Sequence, residues 1–115
     1  MNKEDCYNQG MEFFAEDKLD DAIEAFQKAV QEDPAYTDAL HALAMSYAQK
    51  NQLDEAIQVG KQLIEVNPED ELAYTSLSIF YQRMGMIEEA ENVGAKARTL
   101  GWKRQLQEKK EDEKK

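Results

Sequence analysis

Residues 37–70 read TDALHALAMSYAQKNQLDEAIQVGKQLIEVNPED. This stretch predicts a helix over 37–50, a short turn carrying Asn51, and a second helix over 53–66. The second helix must stop before Pro68, because the residue ahead of a proline disfavours the α region. Asp54 falls in its first turn, where a negative charge suits the helix dipole. The same pattern occurs on both sides. Asp33-Pro34 lies 34 residues before Asn67-Pro68, and sliding the chain by 34 aligns further columns: Phe13/Tyr47/Tyr81, Ala22/Ala56/Ala90, Leu19/Leu53/Ile87 and the small set Gly10/Ala44/Ser78. A period of 34 with two helices per unit points to an all-α solenoid of stacked repeats. The units are 3–36, 37–70 and 71–104. Their first helices are predicted over 3–16, 37–50 and 71–84, and their second over 19–32, 53–66 and 87–100.

The intervening turns place Asp17, Asn51 and Gly85 in one column. These residue types tolerate the positive φ that a tight helix C-cap requires. Small residues have a packing reason, since two antiparallel helices approach closely only where side chains are short. Gly10 is expected beside Ala22, and Ala44 beside Ala56, with the aromatic column filling the space between layers.

The whole chain has 115 residues, about one ordinary domain. Apolar residues make up 42% and charged residues 33%, too apolar for a disordered chain. The longest uncharged runs, 39–49 and 72–82, are far shorter than the roughly 18 residues of a membrane span. The N-terminus has no apolar signal region, and the single cysteine, Cys6, cannot form an internal disulfide. A reducing, cytoplasmic setting is therefore expected. The net charge is −10, and residues 3–36 carry ten acids against three bases. Such a surface repels phosphate backbones, which argues against nucleic acid as a partner.

These repeats resemble the tetratricopeptide repeat, a family whose unit is also 34 residues long. The resemblance covers 3–104 and rests on Cys6, Gln9, Gly10, Phe13, Ala22, Phe26, Ala29 and Pro34 in the first unit. The second supplies Leu40, Leu43, Ala44, Tyr47, Ala56, Gly60, Leu63 and Pro68, and the third Tyr74, Leu77, Ser78, Tyr81, Ala90, Gly94, Ala97 and Trp102. Gln9 stands where the family has Leu, Gly60 and Gly94 where it has a bulky aromatic, and Trp102 where it has proline. The resemblance implies a right-handed superhelical solenoid of three helix-turn-helix repeats with a C-terminal capping helix. Trp102 and Leu106, four apart, predict that cap. Residues 105–115 would form its end and a mixed-charge tail, with 108–115 fraying because they contain no apolar residue. A glycine inside an exposed helix costs about 1 kcal/mol relative to alanine. Gly60 and Gly94 therefore predict a close approach by the element that follows each, the C-terminal segment in the case of Gly94.

Little in the sequence carries chemistry. There is no glycine-rich phosphate loop and no cysteine pair, and the only histidine, His41, has no second histidine for a metal and no triad spacing to Ser46, Ser76 or Ser78. No enzyme activity, metal or cofactor is expected. The resemblance instead places function on the concave face lined by the first helices. Glu4, Tyr7, Met11, Phe14 and Ala15 would point inward from the first unit, and Asp38, His41, Met45, Ala48 and Gln49 from the second. Leu72, Thr75, Ile79, Gln82 and Arg83 would do so from the third. Within this set Tyr7, Met11, Phe14, His41, Met45, Leu72, Thr75, Ile79 and Gln82 form the candidate protein-binding groove. It suits an apolar peptide or helix with basic flanks, since methionines adapt to varied partners and the first unit is acidic. Family members that hold chaperone C-terminal carboxylates do so with Lys, Asn and Arg. The matching positions here are Tyr7, Met11, Ala42, Leu72 and Ser76, which cannot provide that clamp. A second reading, from a different class, is a homo-oligomeric building block in which the acidic first unit faces the less acidic third.

Overall fold

A computed structural model of the chain describes residues 1–114, and these form six helices: α1 (Lys3–Ala15), α2 (Leu19–Glu32), α3 (Thr37–Gln49), α4 (Leu53–Val66), α5 (Glu71–Arg83) and α6 (Ile87–Glu113). They pair as three helix-turn-helix repeats in the predicted order. The turns within repeats are built alike. Asp17, Asn51 and Gly85 all take positive φ, at 61°, 62° and 77°. The amide of the next residue then reaches back five residues: Lys18 N–H donates to the Phe13 carbonyl at 2.9 Å, Gln52 to Tyr47 at 2.9 Å and Met86 to Tyr81 at 2.8 Å. Asp17, Asn51 and Gly85 themselves donate to Phe14, Ala48 and Gln82. This double bond pattern satisfies carbonyls that a helix end would otherwise leave unpaired.

Between repeats the stop is proline. α2 and α4 each end in an extended residue, Asp33 (φ −145°) and Asn67 (φ −143°), directly ahead of Pro34 and Pro68. The third repeat has Gly101-Trp102 at this point, and nothing there removes an N–H or blocks the α region. The segment expected to form a cap instead continues the second helix without a break, so that α6 runs for 27 residues, and Trp102 and Leu106, the pair expected to form that cap, stay 62% exposed. The expected frayed tail is helical through Glu113, which the Glu- and Lys-rich composition favours; Lys115 lies outside the described residues. Gly101 has a specific use. A β-carbon there would lie 3.1 Å from Oε1 of Glu71, so its absence admits the Glu71 carboxylate against the helix. Arg104 Nε then donates to Glu71 at 3.0 Å and its Nη1 to Glu108 at 3.3 Å. These two carboxylates raise the Arg104 pKa, Glu71 most.

The helices group into two units, Met1–Pro68 and a second beginning at Glu69. In the first, α1 packs on α2, α2 on α3 and α3 on α4, with α1 also touching α3. Phe26, Leu40 and Leu63 are its largest fully buried side chains. In the second, α5 packs on α6 around Leu77, Phe80 and Ala90. The close approaches differ from expectation in their partners. A β-carbon at Gly10 would overlap the ring of Phe26, so it is Phe26 that occupies the room Gly10 leaves. At Gly94 the approaching group is Ser78 of α5, not the C-terminal segment, with its Oγ 3.2 Å from where a β-carbon would stand. The Ser78 hydroxyl donates to the Ala90 carbonyl at 3.0 Å, which keeps this buried polar atom satisfied.

Candidate protein-binding site

Five of the predicted groove residues lie in the first unit, on the neighbouring helices α1 and α3. Tyr7 and Phe14 of α1 and His41 of α3 are half-buried; Met11 and Met45 are exposed at 41% and 44%. The apolar residues of α1 recur at spacings of four and three, which keeps them on one face. Ala48, predicted to point inward with them, is buried and offers no surface. The other four lie in the second unit, all on α5. Leu72 and Ile79 are exposed at 58% and 49%, and Thr75 and Gln82 are exposed with them. Both polar groups are partly engaged: the Thr75 hydroxyl donates to the Glu71 carbonyl at 3.1 Å, and the Gln82 amide lies 3.5 Å from Ser78 Oγ. The α5 face therefore offers mainly apolar contact.

Tyr7 is the anchored member of the set. Its ring centroid lies 5.9 Å from that of Phe26 and 5.6 Å from that of Tyr36, both tilted, a geometry that aromatic quadrupoles favour. Tyr7 and Tyr36 pack on the buried cluster of Cys6, Ala29 and Ala39. Sequence reasoning missed Tyr36. Its column holds Asn2 and Asp70 in the other repeats, so no periodic signal marked it. It also missed Lys3, whose ammonium lies 5.1 Å from the Tyr36 ring centroid and bonds Asp33 Oδ2 at 2.6 Å.

The electrostatics around this aromatic group are uneven. The bond to Asp33 raises the Lys3 pKa. Reciprocally, Lys3 and then the Ala35 N–H hold the Asp33 carboxyl below the ordinary aspartate range. The Tyr36 phenol is pushed up, first by burial and then by the charges of Glu4 and Asp38. Those two exposed carboxylates stand in the first turns of α1 and α3, and give this edge of the apolar surface a negative field. Among the described residues no three His, Cys, Asp or Glu side chains converge as a metal site would require, and no helix is long and apolar enough to cross a membrane. The surface can bury apolar side chains against methionine and aromatic groups.

A family model described as tetratricopeptide repeat matches residues 13–78. A search of curated proteins returned no match. Solved structures do match. A crystal structure of MamA is 28% identical with a TM-score of 0.89, covering 91% of this chain and 61% of that one. A second MamA structure, also 28% identical, has a TM-score of 0.85 and is covered over 57% of its length. The chain thus spans about three fifths of the MamA chains it resembles. The second repeat domain of Spaghetti (RPAP3), bound to the HSP90 peptide SRMEEVD, has a TM-score of 0.81 at 22% identity, with coverage of 87% and 93%. At that identity the likeness is one of fold.

Proposed function

Because the chain belongs to the tetratricopeptide repeat family, we propose that it is a non-enzymatic adaptor that holds a segment of a partner protein on its first-helix faces. The observation that carries this reading is the apolar surface of α1 and α3, where Met11 and Met45 are exposed beside half-buried Tyr7 and Phe14. Large apolar groups on a preformed scaffold dominate binding energy, and a scaffold that needs no reordering loses little entropy on binding. Glu4 and Asp38 at the edge of this surface favour an apolar segment with basic flanks, and make its association salt-sensitive. Leu72, Thr75, Ile79 and Gln82 supply a second contact region of the same character. That a structural neighbour was solved with a bound peptide supports the class of function. The peptide itself is a poor guide, since Tyr7, Met11, Ala42, Leu72 and Ser76 bring no cation to hold a terminal carboxylate. A reducing, cytoplasmic setting suits Cys6, which is buried and free.

The test compares wild type with Met11→Glu plus Met45→Glu as bait in a cross-linked pull-down, with circular dichroism as a check on folding. Both side chains are exposed, so the variant is expected to stay helical. A partner captured by wild type and lost by the variant supports the reading. Equal capture by both shows that binding does not use this face.

A further inference from the structure

The α6 helix leaves an apolar pair uncovered. Trp102 and Leu106 sit four residues apart on one helical face, each 62% exposed. They stand in a basic block: residues 95–110 carry six bases and one acid in a chain whose net charge is −10. A cleft beside them is lined by Thr75 of α5 and by Arg98, Gly101 and Trp102 of α6.

The stacking of α2 on α3 offers a template for what this face could meet. There Val30 of α2 packs on the cluster that contains Ala39 of α3. Two repeats on from Val30, the register places Arg98 on α6; one repeat back from Ala39, it places Asp5 on α1. Both are exposed. The same register replaces buried Leu43 and Leu77 with exposed Gln9. The outer face of α1 and α2 is thus a charged version of a stacking surface. It has a cleft lined by Met1, Gln9, Lys28 and Glu32, and lies within the segment that carries ten acids against three bases.

We propose that α6 docks a second copy of this chain, receiving the copy's α1–α2 face as α2 receives α3. Arg98 meets the copy's Asp5, and Trp102 covers apolar surface near its Met1. The two surfaces differ, so each copy bound through α6 leaves its own α1–α2 face unoccupied, and growth is head-to-tail. Unlike the partner-binding surface proposed above, this contact does not use Met11 or Met45.

Sedimentation velocity over a range of concentrations, at low and high salt, tests the proposal. Wild-type mass should rise with concentration and fall with salt. Arg98→Asp and Asp5→Arg should each weaken association by about tenfold or more, since like charges then face each other. The chain carrying both substitutions should recover it, and Trp102→Glu should weaken it. Met11→Glu plus Met45→Glu should have no effect. A wild-type mass that does not change with concentration overturns the proposal. So does association that survives both single reversals, a double variant that does not recover, or association abolished by the Met11 and Met45 substitutions. Circular dichroism of each exposed-site variant separates loss of association from loss of fold.

Discussion

The first and third repeats solve one packing problem in opposite ways. In the first, α1 has glycine at position 10 and α2 places the fully buried ring of Phe26 over it. In the third, the bulk is on the other helix: Ser78 of α5 projects toward Gly94 of α6, and its hydroxyl is paired with a carbonyl of that helix. The second repeat has Ala44 and Gly60 in the same two columns, small against small. Neither column is fixed by itself. At Gly10 and at Gly94 alike, what the glycine leaves open on one helix is met by a larger side chain from the other.

The largest effect expected from breaking this arrangement is at Phe26. Phe26→Ala should cost about 3–5 kcal/mol, read as a fall in the denaturant midpoint, because a fully buried ring leaves a cavity. Gly10→Ala comes next. Alanine gains about 1 kcal/mol of helix propensity over glycine, yet the overlap with Phe26 should make the net change a loss of about 1–3 kcal/mol. In the Phe26→Ala background the same substitution should become neutral or stabilising, a non-additivity that a double-mutant cycle measures. Gly94→Ala should be milder, within about 1 kcal/mol of wild type, because only the Ser78 hydroxyl must move and the propensity gain offsets it. A thermal melt showing Gly94→Ala as costly as Gly10→Ala would mean that the two repeats are packed alike after all.

The smallest effect is the pH dependence of the ion pair between Lys3 and Asp33. The folded Asp33 carboxyl titrates below its ordinary range, so its contribution is present above the unfolded pKa and is lost as pH falls through the lower, folded one. Lys3 is shifted up, so its contribution is present below the ordinary lysine pKa and is lost as pH rises through the higher, folded one. The difference in Tm between wild type and Asp33→Asn should therefore be small and steady at neutral pH, and vanish in acid below the aspartate range.

Much of this fold was legible because its signals repeat. The residues Asp17, Asn51 and Gly85 marked all three positive-φ turns from one column, and Pro34 and Pro68 marked two helix ends. What did not repeat was harder to read. Trp102 in the proline column was visible as a departure, but a helix end was still placed near residue 100; without proline the helix simply continues. Phe26 facing Gly10 could be inferred only by comparing two columns with each other rather than each with itself. At the candidate site, the positions drawn from the family resemblance range from exposed Met11, Met45, Leu72 and Ile79 to half-buried Tyr7, Phe14 and His41, and overstep at buried Ala48. Tyr36 and Lys3 stayed hidden because the link from α2 to α3 and the start of α1 carry no repeated identity.

The tight turns constrain how a chain of this kind can change length. Lys18, whose N–H closes the end of α1, also offers its carbonyl to Ala22 N–H at 3.0 Å and so opens α2; Gln52 and Met86 do the same for Ala56 and Ala90. One residue finishes one helix and starts the next, and the alanine it starts is buried in every repeat. A single inserted residue in such a turn would break both bonds and rotate the following helix about its axis, turning its buried face toward water. Gain or loss of a whole 34-residue block leaves every turn intact. Evolutionary lengthening of such a chain is thus channelled toward duplication of entire units, and gradual growth within a unit is disfavoured.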